Sequence, residues 1–97
     1  MLTHIVCWKY KSETTQEQKE THLAKLKNLP SVIPNIVSFN IGFDILHLER
    51  SFDLGLVAVY PDRAALDFYT EHAVHQEAAK MGKEIAGQVV SVDFTSE

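Results

Sequence analysis

Phe52-Asp53-Leu54-Gly55-Leu56-Val57-Ala58-Val59-Tyr60 reads as a β-strand that is apolar on both sides. Phe52, Leu54, Leu56, Ala58 and Tyr60 alternate with Gly55, Val57 and Val59, and Asp53 stands at the edge. A strand with one wet face shows polar residues on that face. This one does not, so it is expected to lie centrally in a sheet and to be buried on two sides. Pro61-Asp62 ends it sharply, with Asp62 as a good helix N-cap. A helix is expected from Arg63 to about Tyr69, then a second from about His75 to Ile85, weakened by Gly82 and ended by Gly87. Gln88 to Thr95 alternates again as the last strand, and Ser96-Glu97 forms a polar tail.

Upstream of the central strand, Asp44 to Ser51 is a loop. Ile36 to Phe43 is a strand, with Gly42 predicting a bulge or tight turn near its end. Pro30 and Pro34 stop the helix before it. That helix is expected to begin at a capping box, with Thr14 as N-cap and Glu17 three residues on. Leu23, Leu26 and Leu29 form its narrow apolar stripe, and His22 reads as a surface residue beside it. Leu2 to Lys11 is the first strand. There His4, Val6, Trp8 and Tyr10 alternate with Thr3, Ile5, Cys7 and Lys9, again with both sets substantially apolar.

The order strand, helix, strand, strand, helix, strand is the split βαβ, ferredoxin-like α+β arrangement: a four-stranded antiparallel sheet with helices on one face. The other face is left uncovered. It measures on the order of 300 Å² in plan, taking strands about 4.8 Å apart and roughly 17 Å long. His4, Val6, Trp8, Leu54, Leu56 and Ala58 are assigned to it. A monomer rarely leaves such a patch in water. A two-fold dimer, sheet against sheet, covers it most economically and makes a dimeric α+β barrel. Room for a small ligand is then expected between sheet and helices.

Bulk properties narrow the function. The 97 residues form a single domain, 1–97. Hydrophobic residues make up 45% and charged residues 23%, as in a soluble globular protein. Net charge is −4 and the pI about 5.7, and Lys and Arg form no basic stripe, so no nucleic-acid partner is expected. The N-terminus enters a strand-like run at once, without the pattern of a signal peptide, and no stretch is long and apolar enough for a membrane span. A single cysteine, Cys7, allows no intrachain disulfide, and a cytoplasmic location is expected.

Chemistry concentrates in Tyr69-Thr70-Glu71-His72-Ala73-Val74-His75-Gln76-Glu77. It holds every residue type needed for proton transfer near neutral pH. In an unbroken helix Tyr69 and His75 would stand roughly 120° apart around the axis. They converge only if the helix breaks near Glu71–Val74 and restarts. A metal reading would use His72 and His75 with Glu71 or Glu77, but zinc wants three or four supported ligands. Neither metal nor cofactor is expected.

The opening His-Ile-Val strand, the strand ending at Gly42, Phe52-Asp53-Leu54 leading to Tyr60, Tyr69 followed by His72-Ala73-Val74-His75, and Val92-Asp93-Phe94 together resemble the stress-responsive A/B barrel (Dabb) family. The resemblance covers nearly the whole chain. It implies a ferredoxin-like protomer in a homodimeric barrel, most members having no assigned activity. A plant branch is similar to a polyketide cyclase in which a tyrosine and a histidine of the second-helix region close a ring by aldol chemistry. By resemblance those catalytic roles fall on Tyr69 and His75, with His4 lining the pocket. The expected ligand-binding set is His4, Val6, Trp8, Leu26, Leu54, Leu56 and His72, around a small apolar or aromatic molecule. Where the family often has proline after the first histidine of His-x-x-His, this chain has Ala73, which does not enforce a break. Leu54 stands where the cyclase branch has a pocket histidine. The expected function is small-molecule binding; the alternatives are a cofactor-free lyase or cyclase using the His/Tyr pair, or a cofactor-independent monooxygenase.

Overall fold

The computed structural model describes residues 1–96; Glu97, read above as part of a polar tail, lies outside them. The described residues form β1 (Leu2–Tyr10), α1 (Gln16–Lys27), α2 (Leu29–Val32), β2 (Ser38–Phe43), β3 (Leu54–Tyr60), α3 (Arg63–Glu71), α4 (Ala73–Ile85) and β4 (Ala86–Thr95). The strands make one antiparallel sheet in the order β2-β3-β1-β4. This is the ferredoxin-like α+β fold. β3, apolar on both sides, is an inner strand, as its composition requires. Among the described residues no helix is long and apolar enough to cross a membrane.

The register fixes which residues share a face, and it reverses one expectation. Val6 is opposite Leu56, His4 opposite Ala58 and Trp8 opposite Leu54. These six do share a face, but it is the one beneath the helices. Leu54, Leu56 and Ala58 are almost completely buried there with Tyr60, Leu29 and Ile33. The uncovered face carries the other set. Ile5 lies between Val57 on β3 and Val92 on β4, flanked by Val90 and Phe94. Val57, Val90, Val92 and Phe94 are all exposed in the single chain. Both alternating sets were apolar, so pattern alone could not tell which one the helices choose. Gly42 makes no bulge either. It sits in regular register opposite Gly55, and the irregularity in the sheet falls instead between Lys9 and Tyr10.

The start of α1 is displaced by one residue from expectation. Thr15, not Thr14, is the N-cap: Gln18 N donates to Thr15 Oγ1 at 3.1 Å, and Thr15 N donates to Gln18 Oε1 at 2.9 Å. Thr14 is occupied elsewhere, donating through its hydroxyl to the Ile85 carbonyl at 2.7 Å. Pro30 does not simply stop the helix. It sits in the first turn of α2, where a missing N–H leaves no intrahelical bond unmade.

His22 is not a surface residue. It is fully buried, continuing inward the row formed with Leu26, Leu29 and Ile33. Tyr10 Oη lies 2.8 Å from its Nδ1, and its ring meets the Trp8 ring edge-on at 5.2 Å. Burial pulls the His22 pKa down to about 4, so the imidazole is neutral near neutral pH.

Gly82 is what lets α4 approach this cluster. A Cβ there would stand 2.9 Å from His22 Nε2 and 3.0 Å from Trp8 Nε1. Gly82→Ala should therefore destabilise the fold despite the better helix propensity of alanine. Overpacking of about 1–3 kcal/mol outweighs a propensity gain of about 1 kcal/mol. Thermal unfolding should show a midpoint lower by about 5 °C. An unchanged or raised midpoint would mean that the two rings give way freely.

Candidate functional site

Asp62 caps α3, its carboxylate accepting from Ala65 N at 2.9 Å. The helix ends at Glu71, and His72 takes an extended conformation with φ −63° and ψ 135°. Its own Nδ1 then accepts from Val74 N at 3.1 Å, so His72 serves as N-cap of α4. This is the break that Ala73 does not enforce. A histidine side chain bonded to the new helix supplies it without proline.

The break turns α4 so that the His75 and Tyr69 rings meet, with centroids 4.4 Å apart. His75 Nδ1 lies 3.0 Å from the Thr70 carbonyl, near the end of α3. A carbonyl only accepts, so Nδ1 carries the proton and Nε2 is left with its lone pair. Burial, reinforced by the neighbouring His4 and His72, lowers the His75 pKa, and the bond to Thr70 opposes this only in part. His75 is thus a neutral base. Tyr69 is almost completely buried, and that burial pushes its pKa up to about 12, so its hydroxyl remains a donor.

His4 faces the same cluster from β1. Its ring is 6.0 Å from Tyr69 and 6.2 Å from Tyr60. Its Nδ1 bonds the carboxylate of Asp93, which lies opposite it on β4 and therefore fixes Nδ1 as the protonated nitrogen. The Tyr60 ring is 5.3 Å from that of Tyr69. Burial, with the neighbouring Tyr69 hydroxyl adding to it, raises the Tyr60 pKa above the usual phenol range.

These groups border a cavity of about 210 Å³ between sheet and helices. His4, Val6, Trp8, Leu26 and Leu56 line it, as do Tyr69 and His75. Leu54 and His72 do not. Leu54 is sealed in the core, and His72 is occupied in capping. That capping also removes the shared helix face a metal reading needed, and among the described residues no three His, Cys, Asp or Glu side chains gather around one point. Thr70, Ala79, Lys83, Val89 and Ser91 line the cavity as well, and sequence reasoning missed them. The signal for Ala79 and Lys83 was their spacing of four and eight residues from His75, which puts all three on one side of the helix expected from about His75 to Ile85.

The chain matches the family model described as Stress Responsive A/B Barrel Domain over residues 2–96. No curated protein sequence matches it. Among solved structures, it is similar to a dimeric ferredoxin-like protein of unknown function from Thermobifida fusca. The identity is 23%, covering 98% of this chain and 90% of that one, with a TM-score of 0.89. It is similar to the hydroxynitrile lyase of Passiflora edulis at 20% identity, over 99% of this chain and 93% of that one, with a TM-score of 0.88. A Dabb family protein with a ferredoxin-like fold from Mesorhizobium loti is 16% identical over 99% and 96% of the two chains, with a TM-score of 0.82. At these identities the likenesses speak to the fold. The family model spans nearly every residue, and the chain belongs to the stress-responsive A/B barrel domain family.

Proposed function

We propose that this chain works as a homodimer, joined through the uncovered sheet face, and binds a small, largely apolar molecule in the cavity under the helices. There the His75–Tyr69 pair carries out cofactor-free acid–base chemistry of the lyase or cyclase kind. The observation that carries the reading is the meeting of a neutral imidazole and a protonated phenol over one apolar cavity. Nε2 of His75 takes a proton from a hydroxyl or from a carbon beside a carbonyl. The Tyr69 hydroxyl donates to the oxygen on which negative charge develops. His4, held by Asp93, orients the ligand. A hydroxynitrile lyase on the same fold supports carbon–carbon bond chemistry as the class. Similar proteins described as dimeric, and the exposed Val57, Val90, Val92 and Phe94, support the dimer. The cavity is below the range of about 300–1,000 Å³ usual for drug-sized ligands, which favours a small substrate.

The pH profile tests the assignment. A base must be deprotonated to act, and His75 is shifted below the usual histidine value of 6.5. The acid limb of kcat/KM, measured on a panel of aromatic hydroxynitriles and β-hydroxy ketones, should therefore have its midpoint below that value. No basic limb should follow until pH nears the Tyr69 value of about 12. A midpoint at or above 6.5 would remove His75 as the base. Saturable quenching of Trp8 fluorescence without product would leave binding alone.

A further inference from the structure

The acid–base chemistry proposed above leaves one charged group at the cavity unused. Lys83 lines it, two turns beyond His75 on α4 and about 12 Å further along the axis. It is exposed and has no carboxylate within ion-pair distance among the described residues. An open outer groove shares Thr70, His75, Ala79 and Lys83 with the cavity and adds Lys80. Lys80 is likewise outside every ion pair of the described residues. The groove's one carboxylate, Glu77, is held by Lys25 at 2.8 Å, and that bond keeps it below the usual carboxylate range. The inner cavity is lined by no carboxylate. In a chain of net charge −4 this is a local positive mouth on an apolar chamber. A lysine in the last turn of a helix is also favoured by the helix dipole, but that does not explain its place in the cavity lining.

We propose, building on the ligand pocket inferred above, that the cavity selects a small aromatic or alicyclic carboxylate. The apolar body lies against Trp8, Leu26 and Leu56, the reacting end meets His75 and Tyr69, and the carboxylate rests on the Lys83 ammonium. One cation matches one negative charge.

Trp8 is the chain's only tryptophan and lines the cavity, so its fluorescence reports occupancy. Titrations with 4-phenylbutyrate and its neutral amide, 4-phenylbutyramide, test the inference. The carboxylate should bind roughly fivefold more tightly than the amide, as for a partly exposed ion pair, and the preference should fade with salt. Lys83→Met should abolish the preference and Lys83→Glu should invert it, while Lys80→Met changes it less. Both positions are exposed, so the variants should fold, and their melting curves check this. If the two probes bind equally, or Lys83→Met leaves the preference intact, the carboxylate inference falls while the pocket stands. If neither probe binds, the pocket and the inference fall together.

Discussion

His75→Ala is expected to lower kcat/KM by about 10²–10⁴-fold, the range usual for loss of a positioned general base. Three features of one ring lead to this expectation. Its Nδ1 is committed to the Thr70 carbonyl at 3.0 Å, so Nε2 is the free nitrogen. Burial lowers its pKa, so Nε2 is unprotonated near neutral pH. Its centroid is 4.4 Å from that of Tyr69, and both rings line the same cavity. Stability should change little. The substitution removes one hydrogen bond, worth about 1 kcal/mol, from a helix that alanine favours by several tenths of a kcal/mol. An unchanged melting curve with lost turnover would separate chemistry from folding. Tyr69→Phe keeps the buried ring and removes only the hydroxyl, so a comparable loss there would identify the donor. Turnover that survives His75→Ala would end the acid–base reading.

The second large effect concerns assembly. Val57→Asp should convert a dimer into a monomer in sedimentation equilibrium. In the single chain Val57 is 39% exposed, so a carboxylate there reaches water and costs the protomer little beyond strand propensity, under about 1 kcal/mol. In a face-to-face dimer the same carboxylate is shut between two sheets, once from each copy. An unpaired buried charge costs several kcal/mol, enough to dissociate an interface of ordinary affinity. A variant that still sediments as a dimer would show that the copies meet elsewhere. Wild-type protein sedimenting as a monomer at high concentration would show that the face stays wet.

The element order and the two-sided character of β3 were legible in the sequence because strand period and turn residues are local signals. The choice of sheet face was not. Thr3, Ile5 and Cys7 alternate with His4, Val6 and Trp8, and only packing decides that the second set goes under the helices. His22 was misread because an isolated polar residue beside a leucine stripe looks solvated. Its burial depends on Tyr10, which bonds it, and on Gly82, which makes room for it. Tyr69, His75 and His4 could be named from residue type and family likeness, but their meeting turned on the backbone of His72. Nothing in propensity favours a break before Ala73. Lys83 shares a helix side with His75 by its spacing of eight residues, but only packing shows that this side borders the cavity.

The absence of proline at position 73 has a mechanical corollary. A proline would weld the bend between α3 and α4. Here the bend is pinned by one imidazole and one amide, Nδ1 of His72 and the N–H of Val74, a bond in the range of about 0.5–2 kcal/mol for helix caps. His72 touches no ligand space, yet the spacing of the reactive pair hangs on it. The contact between the Tyr69 and His75 rings is therefore mounted on a latch, and the strength of that latch sets how firmly the two are kept in company.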